Sequence, residues 1–159
     1  MAGSGSIACG LAATASAISK TMLLARSDAS AWKAEEQAHS LCAKVDDGDA
    51  SRLKVTTDPE DLAGCDLIVE AVVEDLGTKV DLLKTLAEAA ADAHLATTTS
   101  SLGVAELGAR VGAAERTFGL HPFNPVVRME LIELCLPDGV GEGVGARARA
   151  WCEAMGKTV

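Results

Sequence analysis

Short apolar runs alternate with longer segments that carry apolar residues at helical spacing. The clearest strand prediction is Cys65–Val73, which contains the largely apolar run DLIVEAVV. The clearest helix prediction is Leu76–Ala91, in which Val80, Leu83 and Leu86 fall on one face. The other predicted strands are Thr21–Ala25, Leu53–Thr57, Leu95–Thr98, Thr117–Leu120 and Met129–Leu136, and the other predicted helices are Ile7–Ile18, Ala31–Val45, a brief one over Pro59–Ala63, Val104–Val111 and Gly143–Met155.

This alternation predicts an α/β fold with a Rossmann-like, doubly wound and mostly parallel sheet. We assign residues 1–159 to one dinucleotide-binding domain. Only Met1 and Ala2 precede the glycine-rich segment, where this fold has a buried strand, and the chain ends within a predicted strand at Lys157–Val159. We therefore expect an incomplete domain whose first strand is missing. Marginal stability follows, because loss of a central strand exposes apolar faces on both neighbours.

Composition and charge argue against several classes of function. The net charge of −9 argues against nucleic acid, because the chain has no basic stripe to neutralise phosphates. No apolar run is long enough to span a bilayer, and the N-terminus has no basic signal-peptide region. The five cysteines are odd in number and lack metal-ligand spacing, which predicts reduced thiols, no metal site and a cytoplasmic location.

The segment GSGSIACG at the N-terminus fits the pattern G-x-G-x-x-[G/A] of a pyrophosphate-binding loop. Gly3 would allow the tight turn, Gly5 the close approach of the backbone, and Ala8 close helix packing. The following helix would supply free N–H groups and a positive dipole end. Alone, this motif is weak, and a disordered Gly/Ser tail is the alternative; the helix and strand that follow favour the loop.

The residue after the second predicted strand bears on the choice of cofactor. A carboxylate is expected about 20 residues after the loop to hold the ribose hydroxyls, but this strand ends in Arg26 and Ser27. An arginine favours a 2′-phosphate, which leaves NADP open beside NAD. The alternative is a solvated Arg26 beside the adenine, with Asp28 following.

A second group of polar residues predicts acid–base chemistry. His121 follows a predicted strand, and Glu133 lies twelve residues later on a strand that can run back beside it. A carboxylate that orients an imidazole makes an effective general base near neutral pH. Ser100 or Ser101, just past another strand end, could hydrogen-bond a substrate oxygen. Asn124, between Phe123 and Pro125 in HPFNP, either contacts substrate or shapes the turn.

At these residues the chain resembles the 3-hydroxyacyl-CoA dehydrogenase family. The resemblance covers nearly the whole chain through the segments GSGSIACG, DLIVEAVVEDLGTK, TTTSSL, GLHPFNPVVRMELIEL and EAMGKTV. It implies an N-terminal Rossmann domain followed by a helical domain that closes over the acyl-CoA and dimerises. That helical domain, with its catalytic asparagine, is absent from this chain.

The resemblance also implies roles for particular residues. His121 corresponds to the general base that removes the 3-hydroxyl proton while hydride leaves C3 for the nicotinamide. Glu133 corresponds to its orienting partner, and Ser100 to the serine that contacts the substrate oxygen. Glu74 and Lys79 correspond to the loop that contacts NAD; the alternative for them is a solvated charge pair at a helix start. Gly3 and Gly5 correspond to the pyrophosphate loop.

Several positions depart from the family pattern. Arg26 replaces the usual acid, Thr98 stands where asparagine is common, and Pro122 stands where phenylalanine is common. The segment between the second and third predicted strands lacks the longer helical hairpin that helps to hold CoA in many members. Two alternatives to an NAD-dependent dehydrogenase therefore stay open. One is an NADPH-dependent enzyme that reduces a 3-oxoacyl (acetoacetyl-CoA type) substrate or acts on a short 3-hydroxy acid, and the other is an inactive nucleotide-binding fragment.

Overall fold

The computed structural model describes all 159 residues and contains six strands and five α-helices. The strands are β1 (Thr21–Leu24), β2 (Leu53–Thr56), β3 (Leu67–Glu70), β4 (His94–Thr97), β5 (Thr117–Pro122) and β6 (Ile132–Cys135). The helices are α1 (Ser6–Ala15), α2 (Asp28–Cys42), α3 (Leu76–Ala89), α4 (Val104–Val111) and α5 (Val144–Ala154). The brief helix at Pro59–Leu62 is a 3₁₀ helix.

The strands lie in the order β2-β1-β3-β4-β5-β6, and Ala2 stands between β1 and β3. Its N–H donates to the carbonyl of Val69 at 2.8 Å and its carbonyl accepts from Ala71 at 2.8 Å. On the other side, the N–H of Leu24 donates to the carbonyl of Met1 at 2.8 Å. One residue thus stands at the predicted position of the first strand and joins the two halves of the sheet.

Strand directions confirm the predicted mostly parallel sheet. β1 pairs with β2 in parallel, β3 and β5 pair with β4 in parallel, and Ala2 bridges both halves in parallel. β6 alone runs antiparallel, beside β5, as the predicted return of the chain requires. Parallel strands place their carboxyl ends at one edge of the sheet, which is where such folds bind ligands.

Helices cover both faces of the sheet, as a doubly wound fold requires. Residues of α3 and α4 pack on Ile68 and Leu95, and residues of α1 and α5 pack on Val69 and Phe118. Neighbouring strand residues point to opposite faces, so Ile68 and Val69 belong to different core clusters. The buried residues with no exposed surface include Leu11 from α1, Leu83 and Leu86 from α3, Leu107 from α4, and Ala148 and Cys152 from α5.

Several elements begin or end at other residues than predicted. The helix α2 begins at Asp28, three residues early, because Ser27 caps it and exchanges hydrogen bonds with Ser30. The helix α1 ends at Ala15, and the Ser16 hydroxyl donates to the Ala13 carbonyl at 2.7 Å. The strand β5 continues through Pro122 because β6 pairs with it. The end of the chain forms a single bridge between Thr158 and Leu131.

Candidate active site

The loop between Ala2 and α1 has the geometry that a pyrophosphate needs. Gly3 has a φ of +139°, and a Cβ there would lie 2.4 Å from the carbonyl oxygen of Ala71. Only glycine avoids both the backbone strain and that contact. The N–H groups of Ser6, Ile7 and Ala8 at the start of α1 have no intrachain acceptor. These donors, at the positive end of the helix dipole, fit the anionic pyrophosphate of NAD.

A cavity of about 730 Å³ lies beside this loop. Gly3, Gly5 and Arg26 all line it, so the structure brings these three predicted cofactor contacts together. Glu74 and Lys79, the other two, do not line it. They belong to a separate network beneath the neighbouring loop.

His121 and Glu133 form the central pair of the second site. They stand directly opposite each other in the antiparallel register of β5 and β6. The His121 Nδ1 lies 3.0 Å from the Glu133 Oε2. The His121 ring is also packed edge-on against Phe123, with 5.1 Å between ring centres. Strand pairing and ring packing therefore fix the orientation of the imidazole.

This pair lines a cavity of about 880 Å³ that also contains Ser100, Ser101 and the exposed Cys135. Ser100 donates its backbone N–H to Glu74 and has no partner for its hydroxyl within the chain. Its hydroxyl is therefore free for a substrate oxygen. Asn124 is exposed in the turn after β5 and does not line the cavity.

Glu74 holds the loop that carries Ser100. Its Oε1 accepts hydrogen bonds from the backbone N–H groups of Ser100 and Ser101, both at 3.0 Å, and from the hydroxyls of Ser101 and Thr99. Burial opposes ionisation of this carboxyl, but the hydrogen bonds from Thr99, Ser101 and Ser100 outweigh it and lower its pKa to about 2. The carboxylate therefore remains ionised while it orients the loop.

Lys79 lies beneath this loop with a side chain that is 1 % exposed. Its Nζ donates to both carboxylate oxygens of Glu70, at 2.8 and 3.1 Å, and lies 3.4 Å from the Glu74 Oε2. Glu70 also accepts from the Thr97 hydroxyl at 2.7 Å and from the Val72 N–H at 2.7 Å. The structure thus places Lys79 between two carboxylates, and direct contact with a cofactor stays a prediction.

Two residues that hold this site together, Glu70 and Lys157, were not predicted from the sequence. Glu70 interrupts an otherwise apolar strand nine residues before Lys79, and that isolated acid was the available signal. Lys157 donates from Nζ to the carbonyls of Val126, at 2.6 Å, and Met129, at 2.8 Å. It thereby fixes the connection between β5 and β6. Nothing local in the sequence pairs Lys157 with carbonyls about 30 residues away.

Replacing Glu74 with glutamine should reduce the fall in the free energy of unfolding that occurs as the pH drops below 4.5. The folded-state pKa of about 2 lies below the ordinary 4.5, so this carboxylate stabilises the fold above pH 4.5 and loses that effect as the pH falls towards 2. We expect about 1 kcal/mol less loss in Glu74→Gln between these limits, because solvent screens the partly exposed group. Urea unfolding at pH 5, 4 and 3 measures this difference. Glu35→Gln is the matched control, because Glu35 is exposed. The prediction would be contradicted if Glu74→Gln lost as much stability as wild type between pH 5 and pH 3.

No group of three or more His, Cys, Asp or Glu side chains is placed to hold a metal ion. None of the helices combines the length and apolarity required to cross a membrane.

Comparison with known proteins agrees with the geometry. The family described as "3-hydroxyacyl-CoA dehydrogenase, NAD binding domain" matches residues 1–159. A 3-hydroxybutyryl-CoA dehydrogenase of Clostridioides difficile is 44 % identical over 85 residues, which is 53 % of this chain and 30 % of that protein. A probable 3-hydroxybutyryl-CoA dehydrogenase of Deinococcus radiodurans is 35 % identical over 108 residues, which is 67 % of this chain and 39 % of the relative.

Solved structures give the same result over nearly the whole chain. The (S)-3-hydroxybutyryl-CoA dehydrogenase of Ralstonia eutropha superposes with a TM-score of 0.90 at 27 % identity, covering 98 % of this chain and 59 % of that one. FadB2 of Mycobacterium tuberculosis superposes with a TM-score of 0.90 at 30 % identity, covering 99 % and 61 %. The chain spans less than two thirds of the length of these relatives. It belongs to the 3-hydroxyacyl-CoA dehydrogenase family, whose NAD-binding domain it forms.

Proposed function

We propose that this domain supports the oxidation of a 3-hydroxyacyl-CoA to the 3-oxoacyl-CoA, or the reverse reduction, as part of acyl-CoA metabolism. The observation that carries the proposal is the His121–Glu133 pair, held at 3.0 Å in a cavity that it shares with Ser100. When bound, NAD supplies the acceptor for the hydride that leaves C3 of the substrate.

His121 is the proposed general base. With Nδ1 donating to Glu133, its Nε2 presents a lone pair to the 3-hydroxyl of the substrate. Nε2 takes the hydroxyl proton as the C3–H bond breaks, so the C–O single bond becomes a carbonyl. The Glu133 carboxylate stabilises the imidazolium that forms. In the reductive direction the same Nε2–H returns the proton to the developing alkoxide.

Ser100 is the proposed donor to the substrate oxygen. Its free hydroxyl lies in the same cavity as His121, and Glu74 holds its backbone N–H at 3.0 Å. A positioned donor stabilises negative charge that develops on the oxygen during proton and hydride transfer. Asn124 is proposed as a further substrate contact only from its place in the segment HPFNP, because it stands outside this cavity.

The relatives support an acyl-CoA substrate, because several of them are 3-hydroxybutyryl-CoA dehydrogenases. Homodimerisation through a helical domain and a cytoplasmic location are further proposals for the whole protein; the first rests on the family resemblance and the second on the cysteine pattern. They are independent of the chemistry assigned to His121.

The test is the reduction of NAD and, in parallel, of NADP, followed at the absorbance of the reduced cofactor, with (S)-3-hydroxybutyryl-CoA and, separately, with free 3-hydroxybutyrate. We expect weak turnover of the CoA ester by this domain and still less turnover of the free acid. Turnover with the acid alone would favour a short hydroxy-acid enzyme instead. Saturable quenching or enhancement of NADH fluorescence without any turnover would overturn the oxidoreductase proposal in favour of a nucleotide-binding module.

A further inference from the structure

The cavity beside the phosphate loop has an unusual charge distribution. Sixteen residues line it, among them Ser4, Ser6 and Thr57, and none is an aspartate or a glutamate. Arg26 is the only charged residue in the lining. A ribose with two free hydroxyls is normally held by a carboxylate acceptor at this place. This cavity contains no such acceptor and offers a cation instead.

Arg26 is placed at the carboxyl end of β1 by the sheet itself. The N–H of the preceding Ala25 donates to the Thr56 carbonyl at 2.9 Å, which sets Arg26 beside Thr57 at the same edge. The exposed Arg26 guanidinium forms no ion pair within the chain. The Thr57 hydroxyl likewise makes no hydrogen bond within the chain, although the neighbouring Thr56 hydroxyl does. Both groups are therefore available to a ligand.

The nearest acids in the sequence are engaged elsewhere. The Asp58 carboxylate accepts from the Glu60 N–H at 3.0 Å, and the Asp61 carboxylate accepts from the Thr56 hydroxyl. Asp28, in the first turn of α2, does not line the cavity. No carboxylate therefore neutralises Arg26 or takes the place of the missing ribose acceptor.

We propose that this cavity binds the adenosine 2′-phosphate of NADP, with Arg26 and Thr57 as its ligands, and that Arg26 makes the domain prefer NADP over NAD. This inference rests on the proposed function, in which the adjacent loop binds a dinucleotide. A guanidinium donates two parallel hydrogen bonds to a phosphate, and a threonine hydroxyl donates a third. Two ribose hydroxyls would find the same donors but no carboxylate acceptor.

Coenzyme A carries a related group, a 3′-phosphate on its adenosine, so the ligands must be compared directly. The 159-residue chain is titrated with NADPH and NADH by cofactor fluorescence. Binding of 2′,5′-ADP, 3′,5′-ADP and 5′-AMP is then measured by calorimetry. We expect NADPH and 2′,5′-ADP to bind about 10- to 100-fold more tightly than NADH and 5′-AMP, the range of a charge-assisted contact.

Arg26→Ala should remove this preference, so that NADH and NADPH bind with similar affinity. Arg26→Asp should reverse it, because the carboxylate repels the phosphate and accepts from the ribose hydroxyls. Arg110→Ala, an exposed arginine paired with Glu106 on α4, is the control for loss of one positive charge.

The outcomes separate this inference from the proposed function. NADH and NADPH binding equally, or a preference that survives Arg26→Ala, overturns the inference alone. A stronger response to 3′,5′-ADP than to 2′,5′-ADP overturns it in favour of a CoA adenosine at this cavity. No binding of either dinucleotide to folded protein overturns both.

Discussion

Replacement of Lys79 by methionine is expected to lower the free energy of unfolding by about 3 to 5 kcal/mol. The Lys79 and Glu70 side chains are 1 % and 0 % exposed, so the substitution leaves a buried carboxylate without its counter-ion. Glu70 would retain the Thr97 hydroxyl and the Val72 N–H as donors, which compensate only part of its lost solvation. The loss is large because breaking one side of a buried pair costs more than the pair contributes.

Thermal and urea unfolding measure this effect, with an expected fall in Tm of about 6 to 20 °C for a chain of this size. Lys84→Met is the matched control, since Lys84 is exposed on the same helix. The double variant Lys79→Met/Glu70→Gln should recover part of the stability, because the neutral amide oxygen can still accept from Thr97. A Lys79→Met variant within about 0.5 kcal/mol of wild type would show that the pair is not a structural requirement.

Replacement of His121 by glutamine is expected to lower the turnover of a 3-hydroxyacyl-CoA by about 10²- to 10⁴-fold. Glutamine fills a similar space and can still hydrogen-bond Glu133, but its amide cannot accept a proton near neutral pH. The loop at Gly3 and the cavity beside it are formed by other residues, so cofactor binding should be unchanged. The effect should therefore fall on kcat.

Steady-state turnover and NADH titration on the same preparation measure kcat and cofactor affinity separately. Glu133→Gln should give a smaller loss, because the imidazole remains but its orientation and charge stabilisation weaken. His39→Gln, on α2 away from the cavity, is the control. Turnover by His121→Gln near that of wild type would assign the base to another group.

Individual elements show how far the sequence predicts this fold. α4 has the predicted bounds Val104–Val111, because its apolar residues follow a strict helical period and Gly112 ends it in a left-handed conformation. The start of α2 was placed three residues late, since Ser27 and Ser30 cap each other reciprocally without an apolar residue to mark the first turn. Periodicity locates the middle of an element better than its ends.

The features of the candidate site likewise fall into those that the sequence predicts and those that only the tertiary structure decides. The sequence alone determined the alternation of strands and helices, the glycine-rich loop at Gly3 and Gly5, and the spacing of His121 and Glu133. Only the tertiary structure decided that His121 lies within β5 directly opposite Glu133, that Ala2 joins the two halves of the sheet, and that Lys79 is buried between Glu70 and Glu74. The physical reason is that periodicity and turn chemistry act within a few residues of the chain, whereas strand register and the burial of a charge depend on groups that meet only when distant segments pack.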